Sequence, residues 1–522
     1  MKKIICLSVT GLMILLLFSN DSIAQHVNQL IAAPIGNGNP TEPAIVINPA
    51  NTSEILTAGM PDNAYYSTDG GFTWTHEWIQ SPYGVNADPV LLADQQNRFY
   101  YIHLPYPLGR IICHRKSGIS SLWNMESFAA YDNIHEVDKE WASYDNVNNI
   151  IYLSWTYFDE WGSSNPADSS CIFLAKSTDG GETWSNPVRI SKQKGNAQGG
   201  VYSAHGSYNT TGPDGEVYVT WFGPSGLMFD KSVDQGNTWL EDDINVAGSH
   251  INWIYTIPGV NLGVTFPFIA CDRSAGPHNG NIYISWADKR NGSNNTDVFI
   301  ARSTDGGSTW DAPVRVNDDV SGKHQFFPSV TVDQITGKVW MIFFDRRNYT
   351  DTRTDVYMAV SEDGGETFTN FRISETPFVP LSTVFFGHYL GVAAYNNHVL
   401  GIWNRMDDGE NSLICGIVDP TILGTEENYS GPKAQLTNYP NPFTETSFVS
   451  FRLDEPSNVT LQLFNISGER ITDILSDQAF ERGKHVVKID SNKLRLAQGV
   501  YILKLTTEKE QMSVRALVVG NN

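Results

Sequence analysis

A chain of 522 residues with 41% hydrophobic and 12% aromatic side chains has ample material for a large core, which excludes wholesale disorder. Charged residues are only 18%, and 44 Gly with 25 Pro supply many turns, a balance that favours an all-β protein over a helical bundle. A formal net charge of −22 excludes the basic footprint of a nucleic-acid binder and argues against docking on anionic lipid.

Lys2 and Lys3 precede an apolar run from Ile4 to Phe18, and Ser22 and Ala24 place small residues at the −3 and −1 positions before Gln25. Basic, apolar and small in that order predict a secretory signal peptide over residues 1–24, removed by cleavage. The run is short for a bilayer-spanning helix, and no later segment is longer and as apolar, so no transmembrane segment is expected after cleavage. Cys6 falls in this leader. Cys113, Cys171, Cys271 and Cys415 are widely spaced, show no zinc-ligand pattern, and suit either two disulfides or four buried thiols.

Residues 25–424 are organised by a repeat. Ser67-Thr-Asp-Gly-Gly-Phe-Thr-Trp74 recurs from Ser177, Ser232, Ser303 and Ser361 in the form S-x-D-x-G-x-T-[WF], with start-to-start spacings of 110, 55, 71 and 58. The first spacing is twice 55, so a degenerate copy is expected between, and Ser117-Gly-Ile-Ser-Ser-Leu-Trp123 fits. The chemistry of each copy is that of a turn: Asp caps backbone N–H groups, Gly takes a positive φ, and the aromatic packs beneath. Asp69, Asp179, Asp234, Asp305 and Asp363 are therefore expected to be structural. Each copy sits late in a unit of four strand-like runs, such as Phe327–Asp333, Val339–Phe344, Asp355–Val360 and Phe371–Ile373. Four-stranded units repeated radially make a β-propeller. Units beginning near Glu42, Asp88, Lys139, Val201, Phe266, Phe327 and His388 give seven blades, with the segment after Gln25 closing the last and six blades as the alternative.

The face opposite the box turns receives the starts of inner strands and the ends of second strands, where propellers bind ligands. It offers Glu42, Asp88, Asp138, Glu140, His205 and His388-Tyr389 from the former, and Asp288, Arg290, Asp345, Arg347 and Arg405 from the latter. Asp138, Glu140 and Asp88 are candidate acid–base carboxyls. His388 and Tyr389 are a candidate base and nucleophile. Trp286-Ala-Asp288-Lys-Arg290 matches Phe343-Phe-Asp345-Arg-Arg347, and Trp403-Asn-Arg405 adds a third arginine. Arg290, Arg347 and Arg405, with His205, are candidate substrate-binding residues for an acidic sugar, because guanidinium forks hold carboxylates. An Asp–Arg ion pair within each D-x-R is the alternative. No motif demands a cofactor and no metal-ligand spacing appears; calcium is an ion that the channel-mouth carboxylates would suit.

Boxes and blade pattern together resemble the BNR/Asp-box sialidase superfamily over the body of the chain. The resemblance implies a retaining glycosidase with a Tyr nucleophile, for which Tyr389 is placed, and an arginine clamp, for which Arg290, Arg347 or Arg405 would serve. The opening-blade stretch Thr41-Glu-Pro-Ala-Ile-Val-Ile47 lacks the arginine that the family carries there, and the first arginine after the leader is Arg98. Two functions follow as expectations: a glycoside hydrolase or related glycan-acting enzyme of non-standard site composition, or a non-catalytic propeller that binds glycans or proteins.

Residues 425–435 read as a linker. From Leu436, YPNPF and then strand-like runs at Ser447–Leu453, Val459–Ile466, Lys484–Ile489, Gly499–Thr506 and Ser513–Val519 predict a small β-sandwich over 436–522. YPNPF, VTLQLFNISGERI, GVYILKL and RALVV resemble the type A C-terminal sorting domain of the type IX secretion system of Bacteroidota. The resemblance implies the type IX machinery as a partner, and a secreted or outer-surface location.

Overall fold

The computed structural model describes residues 26–36, 39–123, 125–131, 135–247 and 253–418, and then 436–439, 443, 446–453, 455–465, 468–509 and 511–518. The expected signal peptide and linker lie outside these residues. Within them the chain forms strands joined by turns, and no helix is long and apolar enough to cross a membrane.

Residues 27–418 form a β-propeller. Among the described residues seven antiparallel sheets follow one another in the order of the chain, four-stranded except the third, to which Gly195–Asn196 adds a short fifth strand. Their innermost strands are Ala44–Ile47, Ala87–Ala93, Glu136–Asp145, His205–Thr211, Phe268–Cys271, Gln325–Val332 and Gly391–Tyr395, here sheets 1 to 7. Each inner strand packs beside the next, and the seventh packs beside the first, so the ring is closed. The closure is made by the chain's own beginning. Val27–Ala32 adds as the outermost strand of sheet 7, pairing with Glu410–Val418 in register Val27 to Ile417. Closing a radial sheet this way leaves few open edges.

The second strands explain the stability of the ring. Val339–Asp345 of sheet 6 is buried along its whole length, because both faces are covered by neighbouring sheets. Trp155, Trp221, Trp286, Trp340 and Trp403 stand on the second strands of sheets 3 to 7 and are essentially inaccessible. Where sheets 6 and 7 approach most closely the side chain must vanish: a Cβ on Gly401 would lie 2.7 Å from Ile342.

The five repeated turns all join a third strand to a fourth, and they share one hydrogen-bond set. In the first, Asp69 Oδ1 accepts from the backbone N–H of Phe72 and Thr73 at 3.1 and 2.9 Å, and Thr73 Oγ1 donates to Asp69 Oδ2 at 2.6 Å. Ser67 Oγ accepts from Gly71 N–H at 2.9 Å. The same contacts recur around Asp179, Asp234, Asp305 and Asp363. The Ser117–Trp123 segment occupies the corresponding turn of sheet 2, with the Trp123 indole donating to Glu77 instead.

The C-terminal part has a three-stranded sheet and a four-stranded sheet enclosing a core of Val449, Phe451, Leu461, Leu463, Leu503 and Leu505. It contains a strand the sequence reading left out, Arg470–Phe480, whose largely polar, exposed residues carry little alternation. Leu436–Tyr439 also forms a strand. The four cysteines of the propeller are free and buried.

Candidate active site at the propeller axis

The site is built by an irregularity that recurs around the ring. At the entry to an inner strand one residue adopts a positive φ: Glu42, Asp88, Lys139, Gly206, Phe327 and Gly387, with φ between 50° and 74°. In sheets 2, 3, 4 and 6 it coincides with a break in register between first and second strands, which marks a β-bulge. Left-handed backbone costs a non-glycine residue on the order of 1–3 kcal/mol, and such strain gathers at functional sites. Gly206 has no alternative, since a Cβ there would fall 2.2 Å from the Phe266 ring. The positive-φ entries, bulged at Asp88 and Lys139, bring Glu42, Asp88 and Lys139 towards one another.

Lys139 is the hub. Its Nζ lies 2.5 Å from Asp88 Oδ1 and 3.6 Å from Glu42 Oε1. Tyr389 OH donates to the same Asp88 oxygen at 3.2 Å. His205 Nε2 lies 3.0 Å from Asp138 Oδ2, and the Lys139 backbone N–H donates to Asp138 Oδ1 at 2.9 Å. His388 Nδ1 approaches Glu42 Oε1 to 2.7 Å, but at an angle that makes no hydrogen bond, so both its ring nitrogens lack a partner. Glu140 is buried with neither carboxyl oxygen partnered. Asp138 is the most open of the carboxyls, with a side chain 20% exposed.

Burial and the neighbouring charges set the protonation states. Burial works against charge on Lys139, yet Asp88, Glu42 and Asp138 outweigh it and hold the ammonium well above its ordinary range. Burial would also raise Asp138, but Lys139 and the His205 hydrogen bond hold it below the usual carboxylate range. Burial pushes Asp88 up to about 7 against the pull of Lys139. Burial, with the neighbouring Asp88 charge, drives Glu140 well above the carboxylate range, so it keeps its proton. Burial and then Lys139 push His388 down to about 3, so its ring is neutral.

All five candidate catalytic residues, with His205, therefore gather at one end of the axis. Lys139, which holds them together, was not singled out by the sequence; nothing in Asp138-Lys139-Glu140 announces a bulge. An aromatic layer was also missed. Trp141, Tyr208 and Phe268 pack in tilted and edge-on contacts with centroids 4.2–5.3 Å apart beneath the cluster. On the far side of that layer the channel opens as a cavity of about 480 Å³ lined by the inner strands, and no member of the cluster lines it.

The three candidate arginines do not join the cluster. Arg290 grips Asp288, with Nε 2.9 Å from both carboxylate oxygens, and its guanidinium lies over the Phe299 ring at 4.1 Å. Arg347 is 2.7 Å from Asp345 and 4.2 Å above the Tyr357 ring. Arg405 holds Asp407 and the backbone oxygens of Thr376 and Pro377. Each side chain is spent within or beside its own sheet. No group of three or more His, Cys, Asp or Glu is placed to hold a metal among the described residues.

Residues 437–519 match the secretion system C-terminal sorting domain family, so the chain ends in such a domain. No curated protein sequence matches this chain. The solved structures similar to it are of low identity, and they include glycan-acting proteins as well as YCF48 bound to a D1 peptide. The Hadza microbial sialidase Hz136 is 15% identical with a TM-score of 0.39, over 71% of this chain and 74% of that one. A PL25 ulvan lyase bound to -[GlcA(1-4)Rha3S]- is 14% identical with a TM-score of 0.46, over 76% and 96%. A Trypanosoma rangeli sialidase mutant displaying trans-sialidase activity is 11% identical with a TM-score of 0.41, over 95% and 89%. These likenesses concern the fold.

Proposed function

We propose that this chain is an exported β-propeller that hydrolyses glycans at the axial cluster around Lys139. The sorting domain, together with the leader at residues 1–24, routes it to the outer surface or beyond. The observation that carries the hydrolytic reading is a pair of carboxyls whose surroundings drive them apart. Asp138 is ionised and open; Asp88 is enclosed and raised to about 7. Two carboxyls in opposite states are what acid–base cleavage of a glycosidic bond requires. Asp138, oriented by His205, serves as base or nucleophile. Asp88, bonded to Tyr389, holds the available proton.

The balance of charge at the mouth speaks about substrate. Glu42, Asp88 and Asp138 surround one ammonium, with Glu140 neutral beside them, and the arginines that would clamp a sialic or uronic acid are committed elsewhere. The axial site thus suits uncharged sugar rings. A second reading, a non-catalytic glycan-binding propeller, is favoured by enclosure: Asp88, Glu140 and Tyr389 are each no more than 3% exposed.

Sugar release by the secreted protein on neutral and sialylated glycans tests the proposal, with Asp138→Asn and Arg347→Ala beside it. Release from a neutral glycan, lowered at least about a hundredfold by Asp138→Asn and retained by Arg347→Ala, is the expected outcome. No release from any glycan, with retention on a glycan column, would replace hydrolysis by binding.

A further inference from the structure

A second site emerges where one sheet departs from a pattern that two others share. In sheet 5 the cross-strand row Trp286, Phe299, Arg315 is followed one step along by the pair Asp288 and Asp297. In sheet 6 the row is Phe343, Tyr357, Arg372, followed by Asp345 and Asp355. In both, an arginine two residues past the first Asp covers the central aromatic: Arg290 over Phe299 and Arg347 over Tyr357. In both, the second Asp faces the arginine of the row: Arg315 to Asp297 at 3.5 Å and Arg372 to Asp355 at 3.8 Å.

Sheet 3 repeats the row as Trp155, Phe173, Arg189. The positions that complete it elsewhere are changed. Tyr157 stands for the first Asp, Asp159 for the covering arginine, and Cys171 for the second Asp. Phe173 is therefore left without a guanidinium above it, and Arg189 without its carboxylate. The vacated space is an open cavity of about 390 Å³ on sheet 3, lined also by Val137 of that sheet and Ala130 of sheet 2. Lys194 also lines it. Neither Arg189 nor Lys194 makes a hydrogen bond or ion pair among the described residues, in a chain where 57 acidic side chains outnumber 35 Lys and Arg. At the rim Asp159 accepts from the Ser169 N–H and hydroxyl, each at 2.8 Å.

We propose that this slot binds a sugar ring bearing an anionic group, the ring stacked on Phe173 and Tyr157 and the acid held by Arg189 and Lys194. The ligand supplies the two things that sheets 5 and 6 have and sheet 3 lacks among the described residues: a flat group over Phe173 and a negative charge for Arg189. A sugar presents an apolar face for stacking, hydroxyls for Asp159 and Ser169, and a carboxylate or sulfate for the cations. The site is independent of the axial cluster and stands whether or not that cluster is catalytic.

Calorimetric titration of the secreted protein tests it with four probes: digalacturonate, galactose 6-sulfate, cellobiose and inorganic sulfate. One or both of the acidic sugars is expected to bind with one-to-one stoichiometry and to weaken as salt rises, and which of them binds identifies the acid group. Cellobiose and sulfate alone are expected to bind at least about tenfold more weakly, as is the acidic sugar to Arg189→Ala, since one charge-assisted hydrogen bond is worth about that factor. The double variant Tyr157→Asp with Asp159→Arg rebuilds the pattern of sheets 5 and 6 and should abolish binding while the melting temperature holds or rises. Failure of both acidic sugars to bind, equal binding by cellobiose, or undiminished binding by Arg189→Ala would overturn the proposal. Arg189 is exposed and unpaired, so its loss is not expected to unfold the chain.

Discussion

The two faces of the propeller use the same side chain to opposite ends. On one face each turn aspartate is surrounded by donors. The Thr238 backbone N–H and then its hydroxyl hold Asp234 at about 2, and the Thr309 pair does the same for Asp305. On the other face carboxyls are buried and meet fewer donors: Asp88, held only by Lys139 and Tyr389, is raised by burial to about 7, and Glu140, with neither oxygen bonded to another described residue, keeps its proton. An aspartate that accepts three or four hydrogen bonds is locked into one charge state and serves the turn. One that is deprived of them retains a proton it can give up. Counting donors separates structural acids from reactive ones where residue identity does not.

The comparison can be sharpened by removing groups from each face. The largest effect on stability is expected from His388. Its folded pKa is lowered to about 3, so the folded ring stays neutral while the unfolded one takes up a proton below about 6.5. Stability from this group is present above pH 6.5 and is lost as pH falls towards 3, by on the order of 4 kcal/mol when complete. Urea unfolding of His388→Gln between pH 3 and 7 should show a flatter slope than wild type. An unchanged slope would mean that the ring is already charged in the fold.

A turn acid comes next. Asp363→Ala removes the acceptor for the Glu366 and Thr367 N–H groups and the Ser361 and Thr367 hydroxyls. We expect a loss of about 2 kcal/mol and no change in any glycan-directed activity. A fall in activity at constant stability would place that turn in the site. The smallest effect is expected at Glu140. Because its carboxyl is already neutral, Glu140→Gln should alter stability by less than about 1 kcal/mol at pH 7, as read by denaturant titration. A loss of several kcal/mol would indicate a buried carboxylate paired with Lys139.

The turn face was legible in the sequence because its physics is local. Eight residues from Ser67 to Trp74 contain the hydrogen-bond set that recurs in the other four turns, so a repeated string gives a repeated structure. The axial residues were legible in part, because a propeller's inner-strand starts must meet at the axis, and this places Asp88, Asp138, His205 and His388 together. Lys139 was not, since its role depends on a bulge whose residue gives no compositional sign. The D-x-R sub-repeat was visible as a pattern but not as a direction. Whether Arg290 points at the axis or lies over Phe299 is decided by cross-strand register, which brings together residues 9 apart in sequence on neighbouring strands. The open slot of sheet 3 was hidden for the same reason. Tyr157, Asp159 and Cys171 become substitutions only once their counterparts in sheets 5 and 6 are aligned through the strands.

The contrast between the two faces is tested most directly by carbon-13 titration of the protein labelled at aspartate carboxyls, compared with Asp88→Asn. The account predicts a resonance that titrates near pH 7 and disappears in Asp88→Asn, while the carboxyls of Asp234, Asp305 and Asp363 stay ionised down to about pH 2. If the resonance lost in Asp88→Asn titrates below pH 4 like those of the turns, the axial carboxyls are not held apart, and the acid–base reading of the cluster fails.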